Sequence, residues 1–186
     1  IMSENQTLFS ITEKCLHQLE KIIKKEKPTL IIVQGDTSTA FSGALAGFYS
    51  KVPVAHIEAG LRTNDTQNPY PEEMNRKLIA QLASYHFAPN EANKITLAKE
   101  GIVKNVWVVG NTGIDAFLMT KKYVNNGYKP PFTIDKSIKH ILVTGHRREN
   151  IGKPFSVLCD ELLKIVNEKT RIIFPLHLNP SIKSST

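Results

Sequence analysis

The sequence predicts an α/β protein in which parallel strands form sheets that helices cover on both faces. Two observations lead to this prediction, and a third indicates how the chain divides into domains. Short apolar runs such as Leu30–Val33 alternate along the chain with longer segments of helical periodicity. These runs are typical of strands that are buried on both faces. A polar segment over residues 122–139, broken by Gly127, Pro130 and Pro131, interrupts the alternation and predicts a change of domain.

Each element follows from its periodicity and from the residues that stop it. Apolar side chains from Leu8 to Ile23 recur at helical spacing, and Pro28 ends that pattern before the first strand. Gly35 turns the chain out of this strand, and Pro71, which lacks an N–H, suits the first turn of a later helix. The predicted elements are helices over 7–26, 37–50, from 71, after residues 88 and 109, and over 155–167, and strands over 30–33, 52–57, 85–88, 106–109, 140–144 and 171–175.

Length and composition exclude several classes of protein. The chain has 186 residues, 41% of them hydrophobic and 22% charged, which fits one large soluble domain or parts of two. No apolar run approaches the roughly 18 residues of a membrane helix, so we expect no membrane association. Residues 1–15 do not resemble a secretory signal, and we expect them to come from the middle of a longer chain.

The net charge of +7 favours a phosphate-bearing ligand. The lysines are not interleaved with aromatic residues as in grooves that bind single strands, so we expect no nucleic-acid partner. Cys15 and Cys159 have no Cys or His at ligand spacing and are predicted to be buried thiols in a reducing cytoplasm. His56 and His86 also lack a ligand mate at helical spacing, so we expect no metal.

Nucleotide-binding glycine motifs are missing from the predicted strand ends. No Gly-x-Gly-x-x-Gly follows a strand, and no Gly-Lys-Ser/Thr is present, which argues against a Rossmann dehydrogenase and a Walker ATPase. Polar residues follow several strands instead. Ligands of parallel sheets bind outside the carboxyl ends of the strands, so these residues are the candidates for a site that binds an anion and moves protons. They are Asp36, Glu58, Asn111, His146, Arg147, Arg148 and Glu149, with Glu72 and Glu73 at a helix start.

Several of these candidates also have a purely structural interpretation. Asp36 is a favoured residue for capping the helix that follows it. Glu72 and Glu73 suit the positive end of a surface helix, and His146 and the two arginines could be ordinary polar residues. Glu58 is harder to explain this way, because a carboxylate at the end of a buried strand needs a partner or a function.

Six segments together resemble the UDP-N-acetylglucosamine 2-epimerase family, and the resemblance runs essentially from end to end. They are Gly35–Thr37, His56–Thr63, Pro71–Arg76, Val109–Thr112, Gly145–Asn150 and Pro175–Pro180. The resemblance implies two Rossmann-like domains of GT-B type with parallel sheets, both incomplete, since the chain resembles about the middle half of such an enzyme. It places most of the N-terminal domain at 1–121, a linker at 122–139 and the start of the C-terminal domain at 140–186.

The family interconverts UDP-GlcNAc and UDP-ManNAc by eliminating UDP to give 2-acetamidoglucal and then adding it back. The resemblance implies catalytic roles for Asp36, Glu58, Glu72 and His146, and substrate binding by His146, Arg147 and Asn111. It also implies a regulatory nucleotide-sugar site at Gln6, Arg147 and His177. It further implies no cofactor, a cytoplasmic homodimer and a role in cell-surface polysaccharide biosynthesis.

Alternatives stay open at this point. A hydrolysing relative would release free ManNAc and UDP, although the stretch around Gln6 resembles the non-hydrolysing bacterial branch. A catalytically silent nucleotide-sugar binder and a retaining glycosyltransferase of the same fold are weaker alternatives. The sequence does not indicate which of the three carboxylates is the general base.

Overall fold

A computed structural model of the chain describes residues 6–129, 134–144 and 153–175. The chain forms two compact units, Ile1–Tyr128 and Lys129–Thr186. The boundary between them falls within the segment predicted as a linker. The last described helix of the first unit ends at Asn125, so it extends four residues into the segment that was predicted from its polar composition to be a linker.

The described elements alternate between helix and strand throughout. In the first unit they are α1 (Leu8–Glu26), β1 (Ile31–Gln34), α2 (Ser38–Tyr49), β2 (Val54–Ile57), α3 (Glu72–Leu82), β3 (Tyr85–Ala88), α4 (Glu91–Lys99), β4 (Val106–Val108) and α5 (Thr112–Asn125). In the second unit they are β5 (Lys139–Leu142), α6 (Lys153–Leu163) and β6 (Thr170–Ile173).

All paired strands among the described residues run parallel, which confirms the predicted fold class. The first unit holds a four-stranded sheet in the order β1-β2-β3-β4, and the second unit pairs β5 with β6. The carboxyl ends of the four strands therefore lie along one edge of the first sheet. This edge is where sequence reasoning places the polar candidates.

Several predicted boundaries need correction. Strand β2 begins at Val54 and not at residue 52, because Lys51 has a left-handed φ of 57° that turns the chain before the strand. Pro71 is the cap of α3 and not its first helical residue. Helix α6 ends at Leu163, four residues earlier than predicted, and Asn167 and Thr170 then bond to each other in a tight turn that starts β6.

Small residues let α2 lie close against the sheet. A Cβ added at Gly43 would lie 3.0 Å from Val33, and one at Gly47 would lie 2.5 Å from Val54. Val33 and Val54 form the main core cluster with Ile79 of α3, which is fully buried. This packing holds α2 and α3 in fixed positions beside β1 and β2. It therefore determines which residues at the sheet edge the side chains of the two helices can contact.

The two cysteines differ in exposure. Cys15 is buried in α1, as predicted, whereas Cys159 on α6 is only half-buried, so the prediction of a buried thiol is wrong there. The described part of the second unit gives α6 only a two-stranded sheet to pack against. Within the described ranges, no helix combines the length and the apolar character needed to cross a membrane.

Candidate active site

Asp36 and Glu58 lie side by side at the ends of neighbouring strands. Gln34 and Ile57 are register partners at the ends of β1 and β2, and the N–H of Gly35 donates to the carbonyl of Ile57 at 3.1 Å. The carboxylate of Glu58 borders this turn, because its Oε2 lies 3.6 Å from the position a Cβ would take at Gly35. The fold therefore brings together two carboxylates that the sequence separates by a whole helix and strand.

Residues of helix α3 hold both the side chain and the backbone of Asp36. Nε and Nη2 of Arg76 contact Oδ2 of Asp36 at 2.9 and 2.7 Å. The side-chain amide of Asn75 donates to the carbonyl oxygen of Asp36 at 2.8 Å. The residue that caps α2 is Thr37, whose hydroxyl accepts from the N–H of Ala40. The interpretation of Asp36 as a helix cap is therefore wrong.

Glu73 is a fully buried anchor and not a surface residue at a helix end. Its carboxylate accepts from the backbone N–H groups of Thr63 and Asn64, each at 3.0 Å, and from Arg76 at 3.1 Å. Burial alone raises the pKa of Glu73, but these hydrogen bonds outweigh it and hold the pKa below its usual value. Glu73 thus ties the loop after β2 to α3 as a carboxylate.

Glu72 and Glu58 differ from this anchored neighbour. Glu72 is the first residue of α3 and is half-buried, and its side chain makes no hydrogen bond or ion pair with any described residue. Glu58 is half-buried and has a left-handed φ of 70°. Non-glycine residues with such backbone strain are found preferentially at functional sites, where the surrounding structure maintains the strain.

His56 contacts the same turn from the buried side. Its ring, 1% exposed, has Nε2 at 2.9 Å from the carbonyl of Gly35. A carbonyl can only accept, so Nε2 carries the proton. Burial lowers the pKa of His56 to about 4, and the bond to Gly35 opposes this effect only in part. The neutral imidazole is therefore the form that holds Gly35, next to Asp36.

The start of α5 also lies at the edge formed by the carboxyl ends of the strands. Asn111 caps α5, because its Oδ1 accepts from the N–H of Gly113 at 2.8 Å. The side chain of Gln34 donates to the hydroxyl of Thr112 at 3.0 Å. The end of β1 and the start of α5 are therefore in contact, although β1 and β4 are the two outer strands of the sheet.

The whole chain, residues 1–186, matches the family model described as UDP-N-acetylglucosamine 2-epimerase. The chain belongs to the UDP-N-acetylglucosamine 2-epimerase family. Family members of that name from Campylobacter jejuni and Bacillus subtilis are 45% and 42% identical over 98% and 100% of this chain. The chain spans about half the length of these curated relatives, 51% and 49%.

Solved structures of the family share the fold. The co-structure of Staphylococcus aureus MnaA with UDP aligns with a TM-score of 0.84 and 40% identity, over 98% of this chain and 50% of that one. The UDP-GlcNAc 2-epimerase of Neisseria meningitidis, bound to UDP-GlcNAc, aligns with a TM-score of 0.83 and 41% identity, over 100% of this chain and 52% of that one. These likenesses confirm the predicted GT-B type of α/β fold.

Several of the site residues predicted for this chain lie outside the residues that the structure describes. This holds for His146, Arg147, Arg148 and Glu149, and for His177. Gln6 is described and directly precedes the cap of α1. The described residues contain no group of three or more His, Cys, Asp or Glu side chains that could hold a metal ion.

Sequence reasoning missed the residues that support the catalytic candidates. Asn75, Arg76 and His56 lie in family motifs, but no role could be given to them from the sequence. The spacing of Glu73 and Arg76, three residues apart on a helix, is a signal that could have indicated their ion pair. No sequence signal indicates that Arg76 also reaches Asp36, 40 residues away.

The buried state of His56 predicts an acid-sensitive fold. The folded protein binds fewer protons at His56 than the unfolded chain, so stability should be lost as the pH falls from 6.5 through about 4. Urea unfolding gives the free energy of unfolding of the wild type and of a His56→Gln variant. The difference between the two values, wild type minus variant, should fall by about 3 kcal/mol between neutral pH and about pH 4. A His17→Gln variant at an exposed position is the control. An unchanged difference between wild type and His56→Gln over this range would contradict the prediction.

Proposed function

We propose that the full-length protein is a non-hydrolysing UDP-N-acetylglucosamine 2-epimerase, an isomerase that interconverts UDP-GlcNAc and UDP-ManNAc. The observation that carries this proposal is the pair of carboxylates, Asp36 and Glu58, on adjacent strand ends. Helix α3, which begins at Glu72, contacts this edge through Arg76, and Arg76 in turn contacts Glu73. The membership of the whole chain in the epimerase family, and its likeness to structures with UDP or UDP-GlcNAc bound, support it.

The reaction has two balanced halves. In the first, a base removes the proton on C2 of the sugar, the C1–O bond to UDP breaks, and the freed electron pair forms the C1=C2 bond of 2-acetamidoglucal. In the second, an oxygen of UDP adds to C1 and a proton returns to C2 from the opposite face. The C2 proton is weakly acidic, so the C1–O bond breaks early and positive charge develops at C1. Carboxylates stabilise that charge.

The proposed roles follow from what each side chain contacts. Asp36 is held through one oxygen by Arg76, which suits a carboxylate that stabilises positive charge on the substrate. The carboxylates of Glu58 and Glu72 make no hydrogen bond or ion pair with any described residue, which suits groups that exchange protons. His146 and Arg147 are proposed to hold the departing diphosphate, with Asn111 beside the substrate.

Further proposals concern regulation and setting. A regulatory site for UDP-GlcNAc is proposed at Gln6, Arg147 and His177. The two free cysteines, Cys15 and Cys159, support a reducing cytoplasm. A homodimer, a role in cell-surface polysaccharide biosynthesis, and domains at 1–121 and 140–186 joined by 122–139 complete the proposal.

Proton NMR of UDP-GlcNAc incubated with the full-length protein in heavy water tests this function. Enclosure of the glucal with UDP excludes water from C1, so deuterium from the solvent should appear at C2 of a product that still carries UDP. The same incubation with an Asp36→Asn variant is the control for uncatalysed exchange. If free ManNAc accumulates in step with UDP, and UDP-ManNAc never appears, the proposal is wrong and the hydrolysing alternative is favoured.

A further inference from the structure

We infer that Arg76 is a positioning residue that sets the orientation of the Asp36 carboxylate, and that buried Glu73 holds Arg76 in place for this purpose. The inference rests on the proposed function, in which Asp36 faces the substrate. It assigns a role to two residues of α3 that do not themselves belong to the predicted catalytic set.

The contacts of Arg76 are asymmetric in a way that fits this role. Both Nε and Nη2 reach the same oxygen of Asp36, Oδ2, at 2.9 and 2.7 Å. Within the described part of the chain, no group bonds to the other oxygen, Oδ1. One oxygen of Asp36 is thus fixed, and the other stays available to a substrate.

The guanidinium is itself held rigidly. Its Nη1 contacts Oε2 of Glu73 at 3.1 Å, and the Arg76 side chain is only 16% exposed. Glu73 is fully buried, and two backbone N–H groups of the loop after β2 fix its carboxylate. Buried charge pairs of this kind have well-defined geometry, since each partner is costly to leave unpaired.

The backbone of Asp36 is fixed from the same helix. Asn75, 7% exposed, donates to the Asp36 carbonyl at 2.8 Å. With the main chain held by Asn75, the direction of the carboxylate depends on the contact with Arg76. A reacting group displaced by about 1 Å can lower turnover roughly 100-fold, so this contact is expected to affect kcat more than binding.

A double-mutant cycle in the full-length protein tests the inference. Arg76→Gln should lower kcat roughly 100-fold while the KM for UDP-GlcNAc changes only a few-fold. In an Asp36→Asn background, Arg76→Gln should cause little further loss, because Arg76 acts through Asp36. Glu73→Gln should lower kcat in the same direction. Arg76→Lys should retain part of the activity and serves as the variant that keeps the charge if Arg76→Gln does not fold.

Glu100→Gln is the matched control. Glu100 accepts from Arg62 at 2.7 and 2.8 Å, in an ion pair that resembles the one under test but contacts neither Asp36 nor Arg76. This variant should lose thermal stability yet keep its kcat. The inference is overturned if Arg76→Gln retains kcat within about twofold, or if its effect multiplies fully with that of Asp36→Asn.

A crystal structure of Arg76→Gln separates this inference from the proposed function. If the wild-type protein does not epimerise UDP-GlcNAc, the proposed function fails, but the placement of Asp36 can still be observed directly. The inference requires the Asp36 carboxylate to shift or to adopt several rotamers in the variant. A carboxylate that stays in its wild-type position would overturn it, whatever the reaction.

Discussion

Replacement of Asp36, Glu58 or Glu72 by the corresponding amide should lower turnover roughly 100-fold or more in each case, while UDP binding stays largely intact. The amide keeps the size of the side chain but can neither accept a proton as a base nor stabilise positive charge at C1. Loss of one acid or base has an effect of this scale in other enzymes. Steady-state kinetics with UDP-GlcNAc measures turnover, and calorimetric titration with UDP measures binding.

The three variants also differ in what they should do to the fold. Asp36→Asn weakens an ion pair, so a modest loss of thermal stability accompanies it, whereas Glu58 and Glu72 form no ion pair with a described residue. Glu100→Gln, which weakens a different ion pair, controls for that loss. If all three amide variants keep near-normal turnover, the catalytic roles proposed for these carboxylates are wrong.

Replacement of Gly60 by alanine should destabilise the protein by about 4 kcal/mol, a magnitude that single substitutions reach only through a specific structural conflict. Gly60 has a φ of 90°, which side-chain-bearing residues rarely adopt. A Cβ there would also overlap the carbonyl oxygen of Asn93 and lie 2.8 Å from its carbonyl carbon. Backbone atoms of α4 cannot move aside easily. Urea unfolding of the purified protein measures the loss.

Gly101 provides a matched control for the effect of φ alone. It has a φ of 83°, but nothing lies within 4 Å of the position a Cβ would take there. Gly101→Ala should therefore destabilise the protein by only about 1–2 kcal/mol, the strain of a left-handed conformation. Equal losses in the two variants would show that close packing against Asn93 contributes nothing. Because Gly60 lies two residues after Glu58, its variant should also impair turnover of the molecules that remain folded.

The positions of the catalytic candidates could be predicted from the sequence because they depend on a general rule. Apolar runs located β1 and β2, and polar residues that follow parallel strands meet at one edge of a sheet. Asp36 and Glu58 lie there as expected. The start of α3, with Glu72 as its first residue, was also close to the prediction, because Pro71 and two acidic residues are typical of a helix start.

The contacts of these residues could not be predicted in this way. The two adjacent glutamates, Glu72 and Glu73, look alike in the sequence, yet one is half-buried without a described partner and the other is fully buried among three donors. A helix turns by about 100° per residue, so neighbours face different surroundings. Which surroundings they meet depends on how α3 packs beside β1 and β2.

The sequence by itself therefore determined the fold class, the order of the elements, the edge of the sheet where Asp36 and Glu58 lie, and the helix start that carries Glu72. Periodicity and turn residues act locally, and they are sufficient for those features. Only the tertiary structure decided that Arg76 holds one oxygen of Asp36 and that Glu73 is buried against the loop after β2. The physical reason is that the bond from Arg76 to Asp36 joins residues 40 positions apart, and the bonds from the loop after β2 to Glu73 join residues 9 and 10 positions apart. These contacts depend on the close packing of α2 and α3 on the sheet, and local pattern carries no information about them.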